Sequence, residues 1–127
     1  MLCAVDEATV RAMFGQQFDY ARDPERSHEM YHDDAVVEFP QSGERFAGVE
    51  NFSQWRSSYP ASTSFEIGEV RGGDDLWVVE LVIRYDGGPP NHGVSILQFR
   101  EGKIARETIY VCEGWEAPEW RAQWRSA

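Results

Sequence analysis

From about residue 64 the chain changes period, and that switch constrains its fold more than any other feature. SFEIGEVR, LWVVELVIRY, GVSILQFR and KIARETIYVC each alternate apolar and polar residues, the pattern of strands with one buried face. Their linkers, GGDD, DGGPPNH and EGK, are rich in turn formers that suit hairpins. Four strands joined in this way commit the C-terminal half to an antiparallel meander. Upstream the period is helical. From Asp6 to about Arg22, Val10, Met13, Phe14, Phe18 and Ala21 recur in steps of three and four. A second, short helix is expected from the Asp23 cap and Pro24 to near Asp33. AVVEF then reads as a strand closed by Pro40, and VENFSQWRSSY as a third helix ending before Pro60. A last helical turn in GWEAPEWRAQWRSA would stack Trp120 and Trp124 four apart. Helices followed by a meander make an α+β chain, read as one domain over residues 1–127.

Charge narrows the partners. The 127 residues carry a net charge of −10, with eleven Arg and one Lys scattered without a run. Such a surface repels phosphate backbones and anionic lipid, so neither nucleic acid nor a membrane is expected as a partner. No segment approaches the ~20 apolar residues that cross a bilayer, and MLCAVDEATVRAM lacks the basic start of a signal sequence. Cys3 and Cys112 do not make a disulfide framework. The expectation is a reduced, soluble cytoplasmic protein. Hydrophobic residues at 42% provide ample core, so no staple is required.

HEMYH, His28 to His32, spells the zinc-peptidase signature H-E-x-x-H. A zincin holds both His on the middle of a long helix and adds a third ligand at about 2.0–2.2 Å. Here His28, Glu29 and His32 would sit at the last turn of a short helix, and the strand beginning at Ala35 carries Glu38 away. The motif is therefore read as a chance match, with no metal and no cofactor expected.

MYHDDAVVEFP, GERFAGVENFSQW and FREGKIARETIYVCEGW, in that order and spacing, resemble the nuclear transport factor 2-like superfamily, which includes SnoaL-like polyketide cyclases and ketosteroid isomerases. The resemblance covers nearly the whole chain. It implies a cystatin-like cone, in which N-terminal helices pack in the concavity of a curved, mostly antiparallel sheet around an apolar pocket, commonly as a homodimer. It also implies which strand faces turn inward. In LWVVELVIRY the aromatic face, with Trp77, Leu81 and Tyr85, should line core and cavity; in KIARETIYVC the inward set is Glu107, Ile109 and Val111.

Glu107 is then the sharpest catalytic candidate. An acid facing an apolar cavity has its pKa raised by desolvation, which suits acid–base work. On that reading Glu107→Gln abolishes turnover and leaves the melting temperature nearly unchanged. The bland reading pairs Glu107 with an Arg from a neighbouring strand or places it at the cone's rim. His92, just before GVSILQFR, is the second candidate, since a His near a pocket mouth is suited to proton transfer near neutral pH. Phe39, Trp77, Leu81, Tyr85, Ser95, Phe99 and Ile109 are the expected ligand contacts. The catalytic sets implied by the resemblance are not intact. Phe39 stands where steroid isomerases of this fold carry their base Asp. Their oxyanion pair aligns near Gly15 and at Ser95, and the cyclases' acid Asp at Ile109. Two readings follow: a cofactor-free isomerase, cyclase or hydratase-type enzyme acting on an apolar or aromatic ligand, or a non-catalytic ligand-binding or dimerisation module of the same fold.

Overall fold

The structure is a computed structural model that describes residues 5–17, 25 and 28–127. Its first element is helix α1, Glu7–Gln17. Strands β1 (Tyr31–Phe39) and β2 (Glu44–Ala47) follow, and then helix α2, Val49–Ser57. The meander is β3 (Thr63–Gly73), β4 (Leu76–Tyr85), β5 (Asn91–Arg100) and β6 (Lys103–Glu113). A short 3-10 helix over Glu119–Trp124 closes the chain. The expected extension of the first helix beyond Gln17 and most of the second helix lie outside the described residues. Among the described residues no helix is long and apolar enough to cross a membrane.

The six strands form one sheet in the order β2-β1-β6-β5-β4-β3. Only β1 and β6 run parallel; every other neighbouring pair is antiparallel. Local chemistry sets the turns. Glu101 and Gly102, with φ of 51° and 81°, make the two-residue link that pairs Arg100 with Lys103. Two central residues at positive φ match the strands' right-handed twist. Register shifts between Ile67 and Val70 on β3 and between Gln98 and Phe99 on β5 interrupt the ladders, and such bulges bend a sheet. The second has a consequence for the site. It lets Ile104 and Glu107, three apart, both turn inward, where strict alternation would put them on opposite faces.

Helices α1 and α2 lie on the concave side. Val10 and Phe14 of α1 and Phe52 of α2 are buried with Val37, Val79, Leu97 and Ile104 of the sheet. Burying side chains of this size contributes about 1.5–3 kcal/mol each, so the concave face is where the fold is held.

Three expectations change. Strand β1 begins at Tyr31, four residues earlier than expected, because Tyr31 pairs with Ile104 on β6 and its ring belongs to the core. The zinc-like motif is thereby split: His28 ends a helical turn, Glu29 is in a turn, and His32 stands on a strand. Helix α2 stops at Ser57, and the terminal helix is 3-10, so Trp120 and Trp124 diverge by about a third of a turn rather than stacking.

Candidate functional site

Among the described residues the concave face holds one buried charge pair. On α2, Phe52 and Arg56 are four residues apart and so share the face turned to the sheet. Arg56 crosses to β6, where its Nη2 donates to Oε1 of Glu107 at 3.1 Å. The two side chains are 3% and 1% exposed. The Tyr31 hydroxyl also donates to Oε1 of Glu107, and it accepts from Nη1 of Arg56 at 3.1 Å. Ser95 Oγ donates to the other carboxylate oxygen at 2.6 Å. Ser95 reaches it diagonally, since β5 pairs Ser95 with Ile109 and Leu97 with Glu107. The guanidinium carbon stands 5.2–5.6 Å from the Phe52, Tyr31 and Trp55 ring centres, within cation–π range.

This surrounding reverses the expected titration of Glu107. Burial alone raises a carboxyl's pKa, but the Arg56 charge and the hydrogen bonds from Ser95, Tyr31 and Arg56 outweigh it and hold Glu107 below the usual carboxylate range. An ionised carboxylate that already accepts three donors is a poor proton donor at neutral pH. The partner is an Arg, as the bland reading had it, but it comes from a helix above the sheet rather than from a neighbouring strand.

Beside the pair lies a cavity of about 150 Å³. Its walls are the rings of Phe39, Trp55, Tyr59, Phe65 and Tyr85 and the aliphatic Ile83, Ile109 and Val111, with Arg56 and Thr63 as polar contributors. Tyr59 and Tyr85 stack at 5.8 Å between ring centres. Burial, then the neighbouring Tyr59, push the Tyr85 phenol up to about 12.

Three of the expected ligand contacts, Phe39, Tyr85 and Ile109, therefore meet at one cavity. The others do not. Trp77, Leu81 and Phe99 share the inward parity but are packed into the core away from that cavity. Ser95 is spent on Glu107. His92 points the other way, onto the convex face beside its cross-strand partner Cys112. Arg56 and Tyr59 were missed. A signal existed for one of them: Arg56 stands one helical step from Phe52 in VENFSQWRSSY, a cation on the apolar stripe. His28 is buried among Tyr31 and Phe52, and His32 bonds the Arg100 carbonyl. Among the described residues no group of three or more His, Cys, Asp or Glu side chains is arranged to hold a metal ion.

The geometry matches known proteins. The family model of the SnoaL-like domain matches residues 10–107. A solved NTF-2 like protein of unknown function from Burkholderia xenovorans LB400 is 38% identical, over 95% of this chain and 96% of its own, with a TM-score of 0.83. A putative ketosteroid isomerase from Kribbella flavida DSM 17836 is 23% identical over 92% of this chain and 87% of its own, with a TM-score of 0.78; at that identity it shows the fold alone. A putative polyketide cyclase from Sinorhizobium meliloti is 26% identical over 78% of this chain and 94% of its own, with a TM-score of 0.65. No curated protein matches the chain.

Proposed function

The chain belongs to the SnoaL-like domain family, and from that premise we propose that it binds a small, neutral, apolar or aromatic molecule about one ring in size. The observation that carries this reading is the aromatic-walled cavity of about 150 Å³. Volume decides the size. An apolar cavity of roughly that volume holds benzene, whereas pockets for drug-sized ligands run to about 300–1,000 Å³. A four-ring steroid exceeds it.

Charge decides the rest. Among the described residues the one charged side chain in the wall is Arg56, and it is already paired with Glu107 at 3.1 Å. A ligand carboxylate would force two anions to share one guanidinium in a dry site, a costly arrangement. A neutral ligand leaves the pair intact. In this reading Glu107 and Arg56 form the polar backing of a binding cavity, and Glu107 is not the acid of a reaction. The non-catalytic form of the fold is thus favoured over a proton-transfer enzyme, because Glu107, the one buried carboxylate among the described residues, is held ionised and accepts three hydrogen bonds.

The test is ligand-observed NMR with ethylbenzene, benzoate and a four-ring steroid as probes. Ethylbenzene should bind saturably, benzoate at least about tenfold more weakly, a difference near 1.4 kcal/mol, and the steroid not at all. Ile109→Trp should fill the space and abolish ethylbenzene binding while the fold persists. Equal binding to wild type and Ile109→Trp, or none to wild type, would refute the reading.

A further inference from the structure

Trp55 stands one residue before Arg56 on α2, and both line the cavity. Its indole packs against Phe46 and Phe39, with ring centres 5.1 and 5.8 Å away. The Arg56 guanidinium carbon lies 5.6 Å from the centre of the Trp55 ring. The Nε1–H of Trp55 is buried and has no hydrogen-bond partner among the described residues. An indole nitrogen only donates, and the Phe39 and Phe46 rings packed on it carry no acceptor atom. A buried indole usually finds a partner for this proton; Trp77, in the core, gives its own to the Asp74 carbonyl at 3.2 Å. A donor left unmade forfeits the hydrogen bond that water gave it in the unfolded chain, so an orphan in a cavity wall calls for an acceptor.

The neighbouring charge has the matching sign. Arg56 belongs to the wall, whereas Glu107 lies behind it and does not. The cavity therefore meets the cationic end of the pair, where an atom with partial negative charge is favoured. A full anion is not, since it would compete with Glu107 for the guanidinium. A neutral oxygen meets both conditions. It accepts from an N–H and leaves the Arg56–Glu107 contact at 3.1 Å in place. Ile83, Ile109 and Val111 elsewhere in the wall suit the ring that carries it.

We propose that Trp55 Nε1–H is the donor that sets the cavity's specificity, and that the ligand is an aromatic carbonyl compound, a one-ring ketone or aldehyde. This assignment rests on the one-ring reading of the cavity and narrows it to a neutral acceptor. Acetophenone and ethylbenzene isolate the donor, because they share a shape and differ by a C=O in place of a CH2. A carbonyl taken from water into a wall without a donor loses its hydrogen bonds. Beside Trp55 it regains one.

Titrations of the full chain with the two ligands, followed by NMR, test this. The ratio of their dissociation constants, acetophenone over ethylbenzene, should rise at least about tenfold in Trp55→Phe, the effect of removing the partner of one buried polar group. The variant keeps an aromatic ring against Phe39 and Phe46. A second readout uses wild type alone. In proton–nitrogen correlation spectra the Trp55 indole resonance, assigned among the five indoles, should move further downfield with acetophenone than with ethylbenzene, as a proton entering a hydrogen bond does. An unchanged ratio overturns the assignment and gives the carbonyl to the hydroxyls of Thr63 or Tyr59. So does an indole resonance that answers both ligands alike. In either case ethylbenzene still binds and the one-ring reading stands; if neither ligand binds wild type, both fall.

Discussion

Arg56 on α2 and Glu107 on β6 are 51 residues apart in sequence and 3.1 Å apart in space, both buried. The pair ties the helix to the parallel β1-β6 seam through Tyr31 and to β5 through Ser95. It does not act alone: four side chains joined by four hydrogen bonds are satisfied together, and removal of one leaves the others unpaired in a buried environment.

Glu107→Gln is therefore expected to destabilise, contrary to the reading of Glu107 as a dispensable catalytic acid. Breaking a buried pair at one end costs about 3–5 kcal/mol because the other charge is stranded. In a chain of 127 residues that is a fall in Tm of roughly 10–20 °C. The double variant Arg56→Met/Glu107→Leu, which removes both charges, should recover much of the loss. Calorimetry on wild type and the two variants checks it, and a double variant no more stable than Glu107→Gln would contradict the coupling.

Acid stability follows from the depressed Glu107 pKa. In the unfolded chain this carboxyl takes up its proton near the ordinary value of about 4.3, while in the native state it stays ionised to lower pH. Its stabilising contribution is complete above the unfolded value, shrinks as pH falls below it, and is gone beneath the folded pKa. Urea midpoints should drop between pH 5 and pH 3 in wild type, as an order-of-magnitude window. Arg56→Met/Glu107→Leu should show a shallower drop.

Tyr85 predicts the opposite end of the scale. Its phenol, pushed up to about 12, favours the neutral form in the folded state. That contribution is present below the unfolded value of about 10 and is lost as pH rises through the folded one. An absorbance titration at alkaline pH should show part of the signal from the five Tyr ionising late, and Tyr85→Phe should remove a share of that late phase.

Phe39→Ala should enlarge the cavity rather than collapse it, since Phe39 also leans on Phe46 and Trp55, which keep the wall in place. Loss of a ring from a half-buried site costs less than the ~3–5 kcal/mol of a fully buried Phe. The expected gain is access for two-ring ligands: naphthalene should bind the variant and not wild type. Binding to neither would mean that the walls close in.

The chain's local patterns already determined most of the architecture. Alternation in LWVVELVIRY and KIARETIYVC separated the two faces of each strand, since a pleat has period two whatever its surroundings, and the family resemblance implied which face of KIARETIYVC turns inward. Turn formers such as Glu101-Gly102 delimited the strands, and Glu107 stood out as an acid on an apolar face. Parity says which side a residue faces, but not what stands opposite. Whether Glu107 is a proton donor or an anchored anion depends on Arg56, delivered by a helix 51 residues away. Whether Ile109 or Trp77 lines the cavity depends on where the helices leave the concavity unfilled. Those are facts of packing between distant segments, and a local period carries no record of them.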